Sequence, residues 1–436
     1  SLLAIVAISA LLFGAVESWS MAIVGVMAAA SFIPFVWKWK GRRESVPNAW
    51  GIILPSLILL LYPLFQLIPL PLSVLNVFHV KLGELVTLSP DVVPAFHSIS
   101  VYPYVTETEL SHLMVYLIVF LMAAFGVRDK RGASRLMRGL IVFGFAIGMF
   151  GIIQRATNSE SIYWFRKLTQ GGAPFGPFVN RNHFAGFIGM IIPFSIAYAS
   201  VAKSPEKRVM YGFFGIIMAV ALFFSLSRGG IISFFGGILI FFFIIFTRGK
   251  SRMKLAPLFI FLFFFIVYLV YLGASPIIER FVKSGVTDTQ RLSAWVGTLN
   301  AFRDFPVFGS GMGTFPYVFK IYQPEGLPGF WDHAHNDYLE LLLEGGIIGV
   351  TIPAVFMFSV LTRILNAGWD EKGTYLEAAF LSSITSMALH SIVDFNLHIP
   401  SNAILFSLIL GLAVNMSREK AKDGMEQGAG SMKWQE

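Results

Sequence analysis

Residues 230–247 read GIISFFGGILIFFFIIFT, a run without a charged side chain that is bounded by Arg228 and Arg248. A transmembrane helix needs about 20 mostly apolar residues. This run meets that requirement, and both arginines stand outside it. It therefore predicts a helix that crosses a membrane.

The composition of the chain shows that this run is typical of the whole. Of the 436 residues, 56% are apolar and 13% are charged, and the charged share is about half that of an ordinary water-soluble domain. A water-soluble protein could not hide so much apolar surface. The net charge of +8 therefore does not imply a nucleic-acid partner. The chain has no cysteine, which excludes disulfides, thiolate chemistry and cysteine-bound metals.

Runs of the same kind recur along the chain and predict an all-α integral membrane protein with about 12 transmembrane helices. The candidate spans are 2–15, 21–37, 48–67, 110–127, 137–153, 184–201, 209–226, 230–247, 256–273, 338–361, 375–393 and 399–416. We interpret 2–15 as a span and not as a cleaved signal peptide, because no basic segment precedes it and no clear cleavage site follows it.

The basic residues predict the orientation of these spans. Of the 33 lysines and arginines, 22 fall in one alternate set of loops and in the tail 417–436, and 11 fall in the other set. Basic loops stay in the cytoplasm, so we expect both termini there, as an even number of spans requires. The loops 68–109 and 274–337 are then external, within one polytopic domain 1–436. Loops of such length usually carry function.

All eight histidines fall in external loops or at the external ends of spans, which indicates external chemistry because histidine transfers protons near neutral pH. Two of them lie in the polar segment Trp331–Glu340, WDHAHNDYLE. Asn336 or Asp337 is a natural N-cap for the next span. The start of that helix would attract an anion, with His335 beside it as a general base.

Two alternatives remain open for this segment. It could be a hydrated helix cap whose histidines bind loop backbone. It could also be a metal site, because several of its side chains could offer nitrogen and oxygen ligands. These side chains are Asp332, His333, His335 and Asp337. We rank a metal below a metal-free site, since no second ligand cluster accompanies the first.

Isolated external arginines offer a second kind of chemistry. Arg228 lies in the tight turn Ser-Leu-Ser-Arg-Gly-Gly, Arg291 begins an apparently amphipathic helix, and Arg181 precedes His183 just before a span. A guanidinium group suits phosphate oxygens, so converging arginines would hold a diphosphate. The alternative for any one of them is an interaction with lipid phosphates.

These motifs occur together in an order that resembles the bacterial O-antigen ligase and O-antigen polymerase superfamily. The resemblance runs from about residue 140 to 415. It is carried by Asn-Arg-Asn-His-Phe-Ala-Gly at 180–186, Ser-Arg-Gly-Gly at 227–230, Arg291 with Trp295, Phe-Pro-Val-Phe-Gly at 305–309, His335-Asn336 with Gly346 and Gly349, and Asp-Phe-Asn at 394–396.

The resemblance implies a membrane glycosyltransferase of the GT-C type, with the loop 274–337 over a periplasmic active site in the bacterial inner membrane. Such enzymes transfer a glycan from undecaprenyl diphosphate to an acceptor hydroxyl without cofactor or metal. On the matching positions His335 is the catalytic base, and Arg228 and Arg291 hold the donor diphosphate, with Arg181 as a further candidate. We expect the following residues to support the catalytic base and the diphosphate-binding arginines: His333, Asn336, Asp337, Glu340, His183 and Asp394.

The motifs leave the acceptor open. We favour a ligase that uses lipid A–core over a polymerase that uses a second lipid-linked repeat. A transporter of lipid-linked glycans is a third candidate, but the spans carry almost no ionisable residue at mid-depth, where transporters handle their substrates. A membrane scaffold would leave the histidines and arginines unexplained.

Overall fold

The computed structural model describes residues 1–40, 49–78, 96–127, 129–157, 161–168, 172–249 and 285–432, and its regular structure is almost entirely helical. In chain order the helices are α1 (Leu2–Leu11), α2 (Ser18–Lys40), α3 (Trp50–Gln66), α4 (Leu72–Phe78), α5 (Pro103–Leu121), α6 (Lys130–Ala156), α7 (Arg181–Val201), α8 (Pro205–Phe224), α9 (Arg228–Arg248), α10 (Gly285–Phe302), α11 (Phe315–Tyr322), α12 (Asp337–Leu365), α13 (Glu371–His390) and α14 (Pro400–Met432). Two short antiparallel strands, β1 (Pro69–Pro71) and β2 (Phe96–Ser98), pair within the segment 68–109.

Eight helices of the described residues are long and apolar enough to cross a membrane, so the chain is a multi-pass helical membrane protein. They are α2, α5 to α9, α12 and the Pro400–Ser417 part of α14. Helices α1 and α3 are apolar but shorter, and α13 stands where the span 375–393 was predicted. The predicted span 256–273 lies outside the described residues. The total of twelve therefore stays a prediction.

The observed helix ends differ from the predicted ones in three places. Helix α1 ends at Leu11, and a short 3-10 turn follows it, so the predicted span 2–15 is not one helix. Helix α5 begins at Pro103, inside the segment predicted as a loop, because a proline without an N–H group is well suited to the first turn. Helix α10 begins at Gly285, so that Arg291 lies in its interior and not at its start.

Helices α7 and α14 form the centre of the bundle. The buried share of the apolar stretch is 72% in α7 and 89% in α14, against 22% in α2. Lipid removes the hydrophobic drive between helices, so close packing depends on small residues. A Cβ atom added to Gly237 of α9 would lie 2.6 Å from a backbone oxygen of α13, and one added to Gly411 of α14 would lie 2.5 Å from a backbone oxygen of α5.

A break in α12 fastens the segment between α10 and α11 to the bundle. Gly346 adopts φ +62°, which favours glycine, and interrupts the helix. The N–H group of Ile348 donates to the carbonyl of Val307 at 3.3 Å. The side chain of Gln66 in α3 donates to the carbonyl of Glu344 at 2.9 Å. The loop between α10 and α11 is therefore held against the start of α12, where the polar segment lies.

Candidate functional site

The polar segment Trp331–Glu340 turns sharply into α12. Asn336 is the N-cap, and its side-chain oxygen accepts hydrogen bonds from the N–H groups of Tyr338 and Leu339, both at 3.1 Å. His335, just before the cap, has φ +49°, a left-handed conformation that costs energy for a residue with a Cβ atom. Such strain is retained where the surrounding structure imposes it, and here it sets the direction of the imidazole ring.

His335 forms a hydrogen bond with a buried carboxylate. Its Nδ1 atom lies 3.2 Å from Oδ1 of Asp394. An ionised carboxylate only accepts hydrogen bonds, so Nδ1 carries a proton and Nε2 is the nitrogen that faces away from Asp394. The ring makes edge contacts with Trp331 and Phe395, while 24% of the side chain remains exposed. His335 is thus an oriented imidazole that is open to a second reactant.

Asp394 is buried but has three hydrogen-bond donors. Besides His335, the side-chain amide of Asn182 donates to it at 2.6 Å and the N–H group of Phe395 donates at 3.0 Å. Burial by itself would raise the pKa of Asp394. The hydrogen bond from His335 and the nearby imidazole of His183 outweigh burial and hold that pKa well below its usual range. Asp394 therefore stays ionised at neutral pH.

A second network holds the other side of the segment. One carboxylate oxygen of Glu340 accepts from Nδ1 of His333 at 2.7 Å, and the other accepts from the N–H group of Ala334 at 2.8 Å. His398 bridges, with Nδ1 at 2.7 Å from Asp337 and Nε2 at 3.4 Å from Glu340. Five polar groups, from the segment before α12, from α12 itself and from the segment before α14, thus fix the backbone on which His335 stands.

The carboxylates of this network change the pKa values of its two histidines, His398 and His333, which lie outside the spans. Burial would lower the pKa of His398, but the carboxylates of Glu340 and Asp337 raise it well above the ordinary value. Burial would also lower the pKa of His333. The charge of Glu340 and its hydrogen bond to His333 outweigh burial, so the pKa of His333 is raised. Both rings therefore favour the charged form.

Within the described residues, the potential metal ligands that come together are His333, Glu340 and His398, whose ligand atoms lie within 4.8 Å of one another. The predicted alternative of Asp332, His333, His335 and Asp337 is wrong as a ligand set, because His335 faces Asp394 while Asp337 faces His398. The 2.7 Å distance between His333 and Glu340 is that of a direct hydrogen bond.

Helix α10 joins the two segments that carry the dyad of His335 and Asp394. Arg291 donates from Nη1 to the carbonyl of Val393 at 3.0 Å, and Trp295 donates from Nε1 to the carbonyl of Ala334 at 3.0 Å. Residues four apart lie on one face of a helix. Arg291 and Trp295 can therefore bind both segments from the same face of α10. Each of them holds the residue that precedes one member of the dyad.

Arg228 lies at the first position of α9, beside the same segment. The hydroxyl of Ser227 caps this helix by accepting from the N–H group of Gly230 at 3.2 Å. A Cβ atom added to Gly229 would lie 2.8 Å from Val393 and 3.2 Å from His390. The two glycines thus allow the start of α9 to approach the segment that holds Asp394, and they bring Arg228 to the side of the site where Arg291 lies.

The motif at 180–186 contributes unequally. Asn182 binds Asp394 directly, and the buried ring of His183 packs edge-on against Phe395. The side chain of Arg181 lines a cavity of about 570 Å³ together with Arg155 and Lys167. Arg181 thus stands among other cations, next to the turn that precedes Arg228, and not at the dyad.

Helices α7, α9, α12 and α14 begin beside the segments that carry the dyad. The start of a helix carries a partial positive charge and unpaired N–H groups, which favour anions. Arg228, Arg291 and these helix starts add positive charge beside the carboxylates of the site. The arrangement suits a reaction in which negative charge develops on a phosphate while a base removes a proton.

Four residues of the site were not identified from the sequence, namely Asn182, His390, Phe395 and His398. The sequence signals for them were the short Asp-Phe-Asn element and the predicted external position of every histidine. Neither signal shows which acid each histidine meets, because the partners lie far apart in the chain. His335 and Asp394, for example, are separated by 59 positions.

Residues 213–354 match the family model described as O-antigen ligase. The matched stretch contains Arg228, Arg291 and His335, and it confirms the resemblance to the O-antigen ligase and polymerase superfamily. It indicates a membrane enzyme of the ligase or polymerase type with lipid-linked glycan substrates. A comparison with curated proteins found no match.

Proposed function

We propose that this protein is a GT-C-type glycosyltransferase that moves a glycan from undecaprenyl diphosphate to the lipid A–core, at the periplasmic face of the bacterial inner membrane. The observation that carries the proposal is the hydrogen-bonded dyad of His335 and Asp394, flanked by Arg228 and Arg291. A base beside cationic groups is what the transfer of a sugar from a diphosphate requires.

In the proposed reaction Nε2 of His335 removes the proton from the acceptor hydroxyl. The oxygen then forms a bond to the anomeric carbon as the bond from that carbon to the diphosphate oxygen breaks. Asp394 stabilises the imidazolium that forms. The departing diphosphate gains negative charge, which Arg228, Arg291 and the adjacent helix starts stabilise in a partly dehydrated site. Direct displacement inverts the anomeric configuration, so a retained configuration in the product linkage, determined by NMR, would refute this step.

The proposed reaction needs no metal or nucleotide, since the diphosphate leaving group and the protein cations supply the charge balance. A metal-dependent reaction would be revealed by loss of transfer after treatment with a strong chelator and recovery on adding one divalent cation. Equal rates before and after the treatment are expected.

The residue assignments are tested with His335→Ala, Arg228→Ala and Arg291→Ala in purified protein. The readout is the release of free lipid diphosphate from a lipid-linked glycan in the presence of acceptor. We expect the histidine variant to lower kcat by about 100-fold or more, and the arginine variants also to raise the KM for the donor. Matched controls are His97→Ala, which changes a histidine in strand β2, and Arg303→Ala, which changes an exposed arginine of the same external segment.

Survival of transfer in all three variants at normal expression would overturn the assignments. The choice of acceptor is tested separately, by producing the protein in a strain that lacks its own ligase. Lipopolysaccharide carrying O-chain supports the ligase. Lipopolysaccharide without O-chain, together with longer lipid-linked polymers, would establish the polymerase instead.

A further inference from the structure

A second concentration of positive charge lies at the opposite end of the bundle from His335. The start of α7 carries Asn182, which binds Asp394 of the dyad, and α7 ends at Val201, which borders a cavity of about 750 Å³. The cavity lies between the start of α6, the end of α7, the start of α13 and α14. Its charged lining consists of Lys130, Arg131, Arg135, Arg138, Lys372, Asp129 and Asp370.

The cations of this cavity form one surface. Arg131, Arg135 and Arg138 follow one another at helical spacing along a single face of α6, and that face borders the cavity. In the described part of the chain none of these three arginines forms a salt bridge with an acid. The two acids of the cavity also cap helices, because Asp129 accepts from the N–H group of Gly132 at 2.7 Å and Asp370 from that of Gly373 at 2.8 Å.

This placement of the arginines is costly for the isolated protein. Like charges one turn apart repel each other, and cations near the start of a helix oppose its dipole. The first turn of α6 contains no acidic residue, and its N-cap Asp129 supplies one negative charge against the three arginines. An anion in the cavity would reverse each of these unfavourable terms.

The walls of the cavity indicate the depth at which it lies. The hydroxyl of Tyr198 donates to Ser134 at 2.8 Å and forms a polar floor. The indole of Trp369, at the rim, donates to the carbonyl of Ile364 at 2.8 Å. Tryptophan and tyrosine concentrate at the level of the lipid headgroups, and basic pockets between helix ends at this level accommodate phosphate headgroups.

We propose that this cavity binds the phosphate headgroup of an anionic phospholipid, with Arg131, Arg135 and Arg138 as its principal ligands. The aromatic side chains Tyr198 and Trp369 in its lining favour a lipid over a free phosphate. The site is independent of the glycan transfer proposed above, because it lies at the other end of α7.

The test compares two triple variants that remove the same charge. One is Arg131→Gln, Arg135→Gln, Arg138→Gln. The matched control is Lys203→Gln, Lys207→Gln, Arg208→Gln, whose exposed cations lie after the end of α7 but do not line the cavity. Glutamine is a good helix former, and removing the repulsion along α6 should not unfold the protein. A thermal melt of each variant checks this.

Binding is measured on protein in a neutral detergent, with dioctanoyl phosphatidylglycerol, dioctanoyl phosphatidylcholine and inorganic phosphate as probes. We expect phosphatidylglycerol to bind, and the cavity variant to weaken that binding on the order of 10- to 100-fold, while the control variant changes it less than about threefold. Equal weakening in both variants, equal binding of phosphatidylcholine, or binding of inorganic phosphate as tight as that of the lipid would each overturn the proposal.

Discussion

The substitution Asp394→Asn tests the dyad most directly, because it removes one charge and preserves the shape of the side chain. In the native protein Oδ1 accepts from Nδ1 of His335 and from the N–H group of Phe395, while Oδ2 accepts from Asn182. Both oxygen positions face donors. The amide group of an asparagine must therefore place its NH2 against a donor, whichever way it turns.

The size of the effect follows from these contacts. If the amide oxygen stays at the Oδ1 position, His335 loses only the charge of its partner. If the NH2 group takes that position, Nδ1 of His335 must become an acceptor, and the proton moves to Nε2, where the base is needed. A hydrogen bond to a charged group contributes about 1.5–3 kcal/mol. At about 1.4 kcal/mol for each factor of ten, kcat should fall about 10- to 150-fold.

The assay is the release of free lipid diphosphate from a lipid-linked glycan by purified protein, which reports turnover with either acceptor. The KM for the donor should change little, because the arginines stay in place. Asp332→Asn is the matched control, since it removes an exposed acid of the polar segment. Wild-type turnover in the Asp394 variant, or an equal loss in the control, would refute the role of Asp394.

Three further predictions concern the framework of the site. Because the pKa of His398 is raised in the folded protein, its stabilising contribution is complete below the ordinary histidine pKa of about 6.5 and is lost as the pH rises through the folded-state value. The thermal midpoint should therefore fall with rising pH above about 6.5, and less so in His398→Gln. Gly230→Ala should lower the free energy of unfolding by about 1–3 kcal/mol, because its Cβ atom would lie 2.5 Å from that of Ala185. Trp295→Phe should cost about 0.5–1.5 kcal/mol and reduce turnover, because the carbonyl of Ala334 loses its donor.

Each of these predictions has a control within the chain. His97→Gln should keep the pH dependence of the wild type, since His97 lies in β2, away from the network. Gly212→Ala has no atom within 4 Å of the added Cβ and should gain about 0.5–1 kcal/mol as an ordinary helical substitution. Trp369→Phe removes an indole hydrogen bond far from the site, and turnover should stay within about twofold of wild type. A control variant that changes its measured property more than the variant it is paired with would contradict this packing.

Much of the architecture could be read from local patterns. Apart from 2–15, where α1 ends at Leu11, the length of the apolar runs predicted helices at the candidate positions that the structure describes. Asn336 or Asp337 was expected as the N-cap of α12, and Asn336 takes that position. These features depend on residues within one or two helical turns, since hydropathy and capping are local properties. The break in α12 at Gly346 was not predicted, because it depends on the loop near Val307 that packs against it.

The sequence by itself determined that the chain is a membrane protein and identified the motif residues Arg228, Arg291 and His335. The tertiary structure alone decided which groups meet. It paired His335 with Asp394, placed His398 on Glu340, and showed that Arg291 and Trp295 hold the segments on either side of the dyad. The physical reason is that these partners come from the ends of different helices. Their proximity follows from how the bundle packs, which no local pattern records.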